Sequence, residues 1–448
     1  MSDKNQIIAA DLGSSHIALM AAEVVNGAVR VVSGTVQVGD DTVKDFDSAV
    51  RVLAVEENYR NGYVSNGVVL QTSGVAFQIG ELAKRLNNFL HLKKGKEISS
   101  IYVSVNAKSM RCVKHTVSHK FERVTEINAE HLSEMENKCC EALTQGDLAV
   151  YEIFPIDYII DNKHSDKPPY KQKGNIMQVE YTVVVGDKII EEKIKGVFDR
   201  FDKNATKITP KKFKPLSVES LAKAVLSPYD CKEGTALLNL GATTTTLALY
   251  INGQLDTLIV VPLGSHNITK DIQAEGISEF HAENLKCLRG VAMESMVVRR
   301  EKFILPSAKP DIANVQITTI HLAEIIQARL DEIFVPIFQE LKKNKNKIGG
   351  GIVITGGGSN LNGIAEYIQK NTNMYVRFGK HDDKLTENTD KKFADPVYAQ
   401  LIGMCLLIDS YRKKNPEADA DEPTAWKKIK DRIERGLSII FIDEEPVY

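Results

Sequence analysis

The sequence predicts an α/β protein built from two similar halves, and three observations support this prediction. Residues 7–39 and 235–264 follow one pattern: an apolar run, a loop of small residues, a second apolar run, an Asn-Gly pair and a third apolar run. An Asn-Gly pair between apolar runs is typical of a two-residue hairpin turn, because both central residues need positive φ. A further apolar run, Ile352–Thr355, ends in three glycines.

The segment between the two hairpins alternates helical and strand patterns. Apolar residues recur at helical spacing over 75–92 and 129–143, which predicts two helices. Residues 98–105 and 110–121 read as strands, so we expect a self-contained helix-strand-strand-helix insert. Before the second hairpin we expect, in order, a strand at 151–160, a loop at 161–173, a strand at 177–185 and helices at 188–202 and 217–226.

The C-terminal part reads differently. We expect mainly helix over 269–338, a short buried strand at 352–355 and a helix over 397–411. The charged segment 412–424 contains two prolines and is interpreted as a linker. An amphipathic helix follows it.

Composition narrows the possible functions. The chain has 448 residues, enough for several domains, and 57 basic against 59 acidic residues. This balance argues against generic nucleic-acid binding. No apolar run is long enough to span a bilayer, the start has no signal-peptide pattern, and the six cysteines form no CxxC pair. We therefore expect a cytoplasmic location.

The small-residue loops are candidate phosphate-binding turns. Small residues let backbone N–H groups approach phosphate oxygens, and hydroxyls add further donors. Asp11, at a strand end, is the candidate ligand for Mg²⁺ through water. No GxxxxGK[ST] motif occurs, which excludes an ordinary Walker site. The candidate residues of the two loops are Asp11, Gly13, Ser14, Ser15, Asn239, Gly241, Thr243, Thr244 and Thr245.

Together these motifs resemble the actin and sugar-kinase ATPase superfamily, and within it the bacterial cell-division family FtsA. The two loops resemble its phosphate motifs, and Ile354 to Ser359, with Gly356, Gly357 and Gly358, resembles its adenosine motif. Glu283 and Lys286 match a family pattern in which Glu and Lys clasp ribose and adenine. The resemblance covers about residues 6–410.

The resemblance implies a two-domain actin-like (ribonuclease-H-like) fold with ATP and Mg²⁺ in the cleft. The insert predicted from the residue pattern resembles the extra subdomain that FtsA carries inside its first domain, which favours FtsA over actin, chaperones or kinases. The resemblance also implies a C-terminal amphipathic helix. The implied limits are 1–65, 149–215 and 396–411 for the first domain, 66–148 for the insert, 216–395 for the second domain, 412–424 for the linker and 425–448 for the helix and tail.

In function, the resemblance implies a protein that polymerises on the inner face of the cytoplasmic membrane. It implies anchoring of the FtsZ ring through the second domain, which would bind the FtsZ C-terminal peptide, and recruitment of later division proteins. Two alternatives stay open: a small-molecule kinase on the same fold, for which no persuasive base is found, and a relative that assembles pili or microcompartments.

One residue departs from the superfamily pattern. The second phosphate motif usually carries Asp where this chain has Asn239. An amide cannot serve as a charged metal partner or help activate water as a carboxylate does, so we expect at most slow ATP hydrolysis. The other interpretation, that Asn239 only caps the turn, stays open.

The last helix carries a narrow apolar stripe at helical spacing. Five basic and two acidic residues give residues 426–442 a net charge of +3, which suits an anionic membrane surface. An ordinary packed or partner-binding helix is the alternative, and the FtsA resemblance favours the membrane. The candidate membrane residues are Trp426, Ile429, Ile433, Leu437 and Ile440 on the stripe, with Lys427 and Lys430 beside it.

Overall fold

The computed structural model describes residues 6–25, 48–59, 62–92, 97–144, 146–201, 208–211, 214–308 and 313–414. Two predicted features, the first Asn-Gly turn at 26–27 and the C-terminal helix within 425–448, lie outside these residues.

The elements before the second hairpin alternate between strands and helices. In chain order they are β1 (Gln6–Leu12), β2 (Ile17–Val25), β3 (Ala49–Asn58), β4 (Val64–Ser65), β5 (Val68–Val69), α1 (Thr72–Phe89), β6 (Ser100–Val103), β7 (Arg111–Glu126), α2 (Ala129–Leu143), β8 (Leu148–Ile160), β9 (Lys163–Ser165), β10 (Lys173–Asp187), α3 (Ile189–Phe198), β11 (Thr209–Pro210), α4 (Ser217–Val225) and α5 (Pro228–Glu233).

The remaining elements begin with the second hairpin. They are β12 (Thr235–Leu240), β13 (Thr245–Ile251), β14 (Gln254–Val261), α6 (Ser265–Ala274), α7 (Glu279–Arg289), β15 (Lys302–Leu305), β16 (Val315–Thr318), α8 (Thr319–Asn344), β17 (Ile352–Thr355), α9 (Ile364–Thr372), β18 (Val376–Phe378) and α10 (Ala399–Lys414).

Two five-stranded sheets share one topology. The first has the order β11-β6-β1-β2-β3, and the second has the order β18-β17-β12-β13-β14. In each, three consecutive strands form an antiparallel meander, and two later strands add in parallel beside its first strand. The structure therefore contains the two similar halves that the paired hairpins predict.

Register places the two small-residue loops at equivalent positions. Leu12 pairs with Ile17 in the first half, and Leu240 pairs with Thr245 in the second, so each loop has four residues. The second hairpin closes through Asn252 and Gly253, with φ of 53° and 82°. These values confirm the predicted Asn-Gly turn.

Both faces of the first sheet are buried, which explains the uninterrupted apolar runs of β1 and β2. Ile7 and Ala9 pack on α10, whereas Ile8 and Ala10 face the core formed with α1, α3 and α4. Alternate side chains of a strand point to opposite faces, so a strand covered on both sides needs apolar residues throughout.

Helices α4 and α10 cross at very close range between the halves. Gly403 of α10 allows this approach, because a Cβ built there would lie 1.7 Å from the Ser220 carbonyl oxygen. The core around α4 contains residues of both sheets, including Ile101 of β6 and Leu237 of β12. The crossing therefore joins the two halves mechanically.

A separate four-stranded sheet has the order β7-β10-β8-β9 and packs on α2. Lys114 of β7 forms an ion pair with Asp256 of β14 at 2.7 Å, which links this sheet to the second half. Within the segment 66–148, β7 and α2 belong to this unit, whereas α1 and β6 pack in the first half. The domain limits given above stay a prediction.

Two segments differ from their predicted structure. The region 269–338 is mainly helix, as expected, but β15 and β16 form an antiparallel hairpin inside it that the pattern did not predict. The predicted loop 161–173 contains the short strand β9, which pairs with the end of β8. These three strands are three or four residues long, which is too short to show a periodic apolar pattern.

Candidate functional site

A cleft of about 1250 Å³ lies between the two halves. The loop after β1, the loop after β12, helix α7 and the glycines after β17 all line it. The predicted cofactor residues in its lining are Asp11, Gly13, Ser14, Ser15, Asn239, Gly241, Thr243, Thr244, Thr245, Glu283, Lys286, Gly356, Gly357 and Gly358.

The two small-residue loops touch across this cleft. The Thr243 hydroxyl donates to the Ser14 hydroxyl oxygen at 2.7 Å, and the backbone N–H of Asn66 donates to Thr243 Oγ1 at 3.0 Å. Loops separated by more than two hundred residues in the sequence therefore present their backbones to one space. A ligand placed there contacts both halves at once.

The same steric demand explains the glycine in each loop. A Cβ at Gly13 would lie 2.9 Å from the His16 carbonyl oxygen, and one at Gly241 would lie 2.8 Å from the Thr244 carbonyl oxygen. In both loops the glycine approaches the carbonyl three residues later. Only a residue without a side chain allows the loop to close so tightly.

Helix α6 holds the second loop in place from behind. The N–H groups of Ser265 and His266 donate to the carbonyls of Gly241 and Ala242, at 2.9 Å and 2.7 Å. Gly264 permits this contact, because a Cβ there would lie 2.5 Å from Gly241 O. The Thr245 hydroxyl donates to Leu263 O at 2.9 Å and ties the loop to the same turn.

Lys286, which is buried, and Glu283, which is about half exposed, form a polar cluster on the second half. The Lys286 ammonium donates to Glu283 Oε2 at 2.8 Å, to the Thr269 hydroxyl at 2.9 Å and to Ser265 O at 3.2 Å. Burial alone would raise the pKa of the Glu283 carboxyl, but the charge of Lys286 and hydrogen bonds from Lys286 and Thr269 bring it below its usual value. Glu283 therefore presents a stable negative charge to the cleft.

The glycine run after β17 adopts a backbone that favours glycine. Gly356 has φ of 84°, and a Cβ there would lie 2.2 Å from Asn239 Oδ1. The side chain of Asn239 thus occupies the space that Gly356 leaves open. Ser359, predicted as a cofactor residue, is not among the lining residues; its buried hydroxyl donates to Gly356 O at 2.7 Å.

Asp11 lies in the cleft lining and is held by a residue that the motifs did not reveal. Gln400 Nε2, from the start of α10, donates to Asp11 Oδ1 at 2.8 Å. Burial raises the pKa of the Asp11 carboxyl, and the charge of His16 offsets this only in part. The sequence contains one indication that Gln400 has a specific role, since it is the only polar residue in the apolar stretch 399–408.

His16 and Tyr59 are further lining residues that sequence reasoning did not assign to the site. His16 is buried, its Nδ1 lies 3.0 Å from the Ser15 hydroxyl, and its ring stacks on Tyr59 at 5.5 Å between centroids. No local sequence pattern marks either residue as part of the site. His16 ends the first loop, and only the fold brings Tyr59, which follows β3, to that loop.

A dedicated metal cage is absent from the described part of the chain, where no group of three His, Cys, Asp or Glu side chains is placed to hold an ion. A lone carboxylate beside several hydroxyls still fits Mg²⁺, which keeps most of its water shell and takes few carboxylates.

No helix within the described ranges combines the length and the apolar character needed to cross a bilayer. The seven candidate membrane residues of the C-terminal helix lie outside those ranges.

The fold and the cleft together define the class of protein. The two-domain fold is actin-like: the chain aligns with the PilM-PilN type IV pilus biogenesis complex at a TM-score of 0.58 and 14% identity, covering 89% of this chain and 97% of that one. It aligns with MreB5 of Spiroplasma citri bound to ADP at a TM-score of 0.50 and 13% identity, covering 92% and 99%. The predicted fold class is confirmed.

Sequence comparison then shows similarity to one family, which is named for a role in cell division. Residues 236–403 match the family model described as Cell division protein FtsA. The FtsA of Borreliella burgdorferi is 24% identical over 443 residues, 97% of this chain and 96% of the relative. The FtsA of Bacillus subtilis is 30% identical over 223 residues, 49% of each chain. The resemblance to FtsA that the motifs indicated is confirmed.

Proposed function

We propose that the chain binds ATP, with Mg²⁺, in the cleft and acts as an FtsA-type division protein. In this proposal it polymerises on the inner face of the cytoplasmic membrane and anchors the FtsZ ring. The 2.7 Å hydrogen bond between Thr243 and Ser14 carries the ATP part of the proposal. It joins the two glycine-containing loops at one point of a single cleft.

The lining residues divide into groups that suit the parts of ATP. The two loops offer backbone N–H groups and hydroxyls for phosphate oxygens. Asp11 would hold Mg²⁺ through water, and the metal would neutralise phosphate charge. In the second half, Glu283, Lys286 and the glycine run would hold the ribose and adenine.

Hydrolysis is slow in this proposal, because Asn239 stands at the position equivalent to Asp11. Asn239 is the second-to-last residue of β12, as Asp11 is of β1. An amide cannot take a proton from water at neutral pH, so the chain lacks one of two carboxylates at its phosphate loops. ATP then acts mainly as the ligand that closes the cleft and orders both halves for subunit contacts.

ATP binding is tested by titration calorimetry on the full chain. We expect binding by the wild type and at least about tenfold weaker binding by Gly241→Val, since the added side chain clashes with the loop's own carbonyl. Gly80→Ala in α1 is the matched glycine control: its nearest neighbour is Phe201 at 3.4 Å, away from the cleft. Absence of ATP binding by the wild type would contradict the proposal.

The membrane and FtsZ parts need separate experiments. A chain ending at Pro423 should lose pelleting with anionic vesicles while keeping its ATP affinity; vesicles of neutral lipid are the control. A labelled FtsZ C-terminal peptide should bind both chain lengths, since its proposed site lies in the second domain. Electron micrographs on a lipid monolayer with ATP, with and without FtsZ, test polymerisation. Pelleting by the shortened chain would refute the membrane assignment.

A further inference from the structure

Gln400 makes three polar contacts with three other segments of the fold. Its Nε2 donates to Asp11 Oδ1 and to Ser104 Oγ, both at 2.8 Å. Ser217 Oγ donates to its Oε1 at 2.5 Å. These partners lie near the end of β1, just after β6 and at the first residue of α4. Both N–H donors of the amide are therefore engaged inside the protein.

The contacts determine which way the amide faces. A carboxylate only accepts hydrogen bonds, so the nitrogen end of Gln400 must face Asp11. Ser217 then supplies a hydroxyl proton to the oxygen end, and Ser104 accepts the second N–H. A flipped amide would place its oxygen against the Asp11 carboxylate, which is unfavourable. The network thus orients a donor toward the one carboxylate of the two phosphate loops.

The network also lies on the helix crossing that joins the halves. Gln400 and Ser217 stand about one turn before Gly403 and Ser220, where α10 and α4 lie in close contact. The Gln400–Ser217 hydrogen bond and the Gly403–Ser220 contact are therefore successive turns of the same crossing. A shift between these helices moves Gln400 relative to Asp11.

We infer that Gln400 is a positioning residue, whose amide holds the Asp11 carboxylate in the orientation that receives hydrated Mg²⁺ and ties it to the α4–α10 crossing. The inference rests on the proposed function, because it requires Mg²⁺-ATP in the cleft. In this role Gln400, which also lines the cleft, acts on the metal through Asp11. Its loss should therefore weaken the contribution of Mg²⁺ and leave the metal-free contribution of ATP largely intact.

The experiment measures ATP affinity by calorimetry, once in Mg²⁺ and once in EDTA, on the full chain. The ratio of the two affinities is the Mg²⁺ enhancement. Gln400→Met keeps the length of the side chain but removes the amide. We expect its enhancement to fall about tenfold, the effect of losing one hydrogen bond to a charged group, with affinity in EDTA changed less than about twofold. Gln400→Glu should lose at least as much, because two carboxylates would then face each other.

Two further variants separate positioning from general damage. Gln327→Met on α8 is the matched control: the Gln327 side-chain oxygen accepts a hydrogen bond from the Glu294 N–H, and this variant should keep the wild-type ratio. Ser217→Ala leaves Gln400 in place but removes its anchor, and should lower the ratio less than Gln400→Met does. Thermal melting of each variant shows whether it is folded.

The outcomes are distinguishable. If the wild type shows Mg²⁺ enhancement and folded Gln400→Met keeps it, or loses affinity equally in Mg²⁺ and EDTA, Gln400 has only a structural role and the inference is overturned. If Gln400→Met does not fold, the Mg²⁺ enhancement of Ser217→Ala decides instead: an enhancement equal to that of the wild type overturns the inference. If the wild type binds no ATP under either condition, the proposed function fails as well.

Discussion

Replacing Gly403 with Ala tests the helix crossing that joins the two halves. A Cβ at this position would lie 1.7 Å from the Ser220 carbonyl oxygen and 3.2 Å from the Ala224 Cβ. The first contact is with backbone in the middle of α4, so no side-chain rotation relieves it, and α4 and α10 must move apart.

Two effects oppose each other in this variant. Alanine favours a helix interior by about 1 kcal/mol over glycine. Overpacking a tight core costs about 1–3 kcal/mol, and a clash with backbone lies at the upper end of that range. The cost of the steric clash should therefore exceed the gain in helix propensity. We expect Gly403→Ala to lower the free energy of unfolding by about 1–2 kcal/mol.

Gly80→Ala provides the matched comparison, since it is also a helix-interior glycine. Its nearest neighbour is Phe201 Cε1 at 3.4 Å, which is an ordinary contact. In this variant only the difference in helix propensity acts, and we expect the free energy of unfolding to rise by up to about 1 kcal/mol. Urea denaturation followed by circular dichroism measures both variants. A Gly403→Ala chain as stable as the wild type would refute the close packing of α4 on α10.

Three further predictions concern charged and polar groups. Lys286→Met should weaken ATP binding at least about tenfold in calorimetry, because Glu283 then faces the cleft without its partner cation. Burial lowers the pKa of His381 below its ordinary 6.5, so the unfolded chain binds a proton at this residue more readily than the folded chain does. The free energy of unfolding should therefore fall as the pH drops below about 6.5. This fall should be smaller in the control variant His381→Gln. A double-mutant cycle on Lys114 and Asp256 should give a coupling of about 0.2–1 kcal/mol that decreases in high salt, since Lys114 is mostly exposed. A wild-type free energy of unfolding that does not change below about pH 6.5 would contradict the His381 prediction. A coupling energy that salt does not change would contradict the prediction for Lys114 and Asp256.

Much of the pattern of the candidate site could be predicted from the sequence, because its signals are local. A loop that must expose backbone N–H groups needs small residues, and a hairpin turn with two positive φ angles favours Asn-Gly, as Asn252 and Gly253 show. Repetition of the pattern then indicated two equivalent halves. Strand β17 has the limits that its apolar run predicted.

Other features could not be read from periodicity. The hairpin of β15 and β16 has strands of four residues, and β7 finds its partners in β10 only after a long excursion through α2 and β8. Such pairings depend on which surfaces remain to be covered once the larger elements have packed.

The amino-acid sequence by itself determined the duplicated strand-loop-strand pattern, the glycine and hydroxyl residues of both loops, and the amphipathic helices, because each depends on residues a few positions apart. Only the tertiary structure decided that Ser14 meets Thr243 and that Gln400 holds Asp11, 389 residues away in the chain. These contacts arise from the packing of whole sheets and from the α4–α10 crossing, which no local pattern encodes.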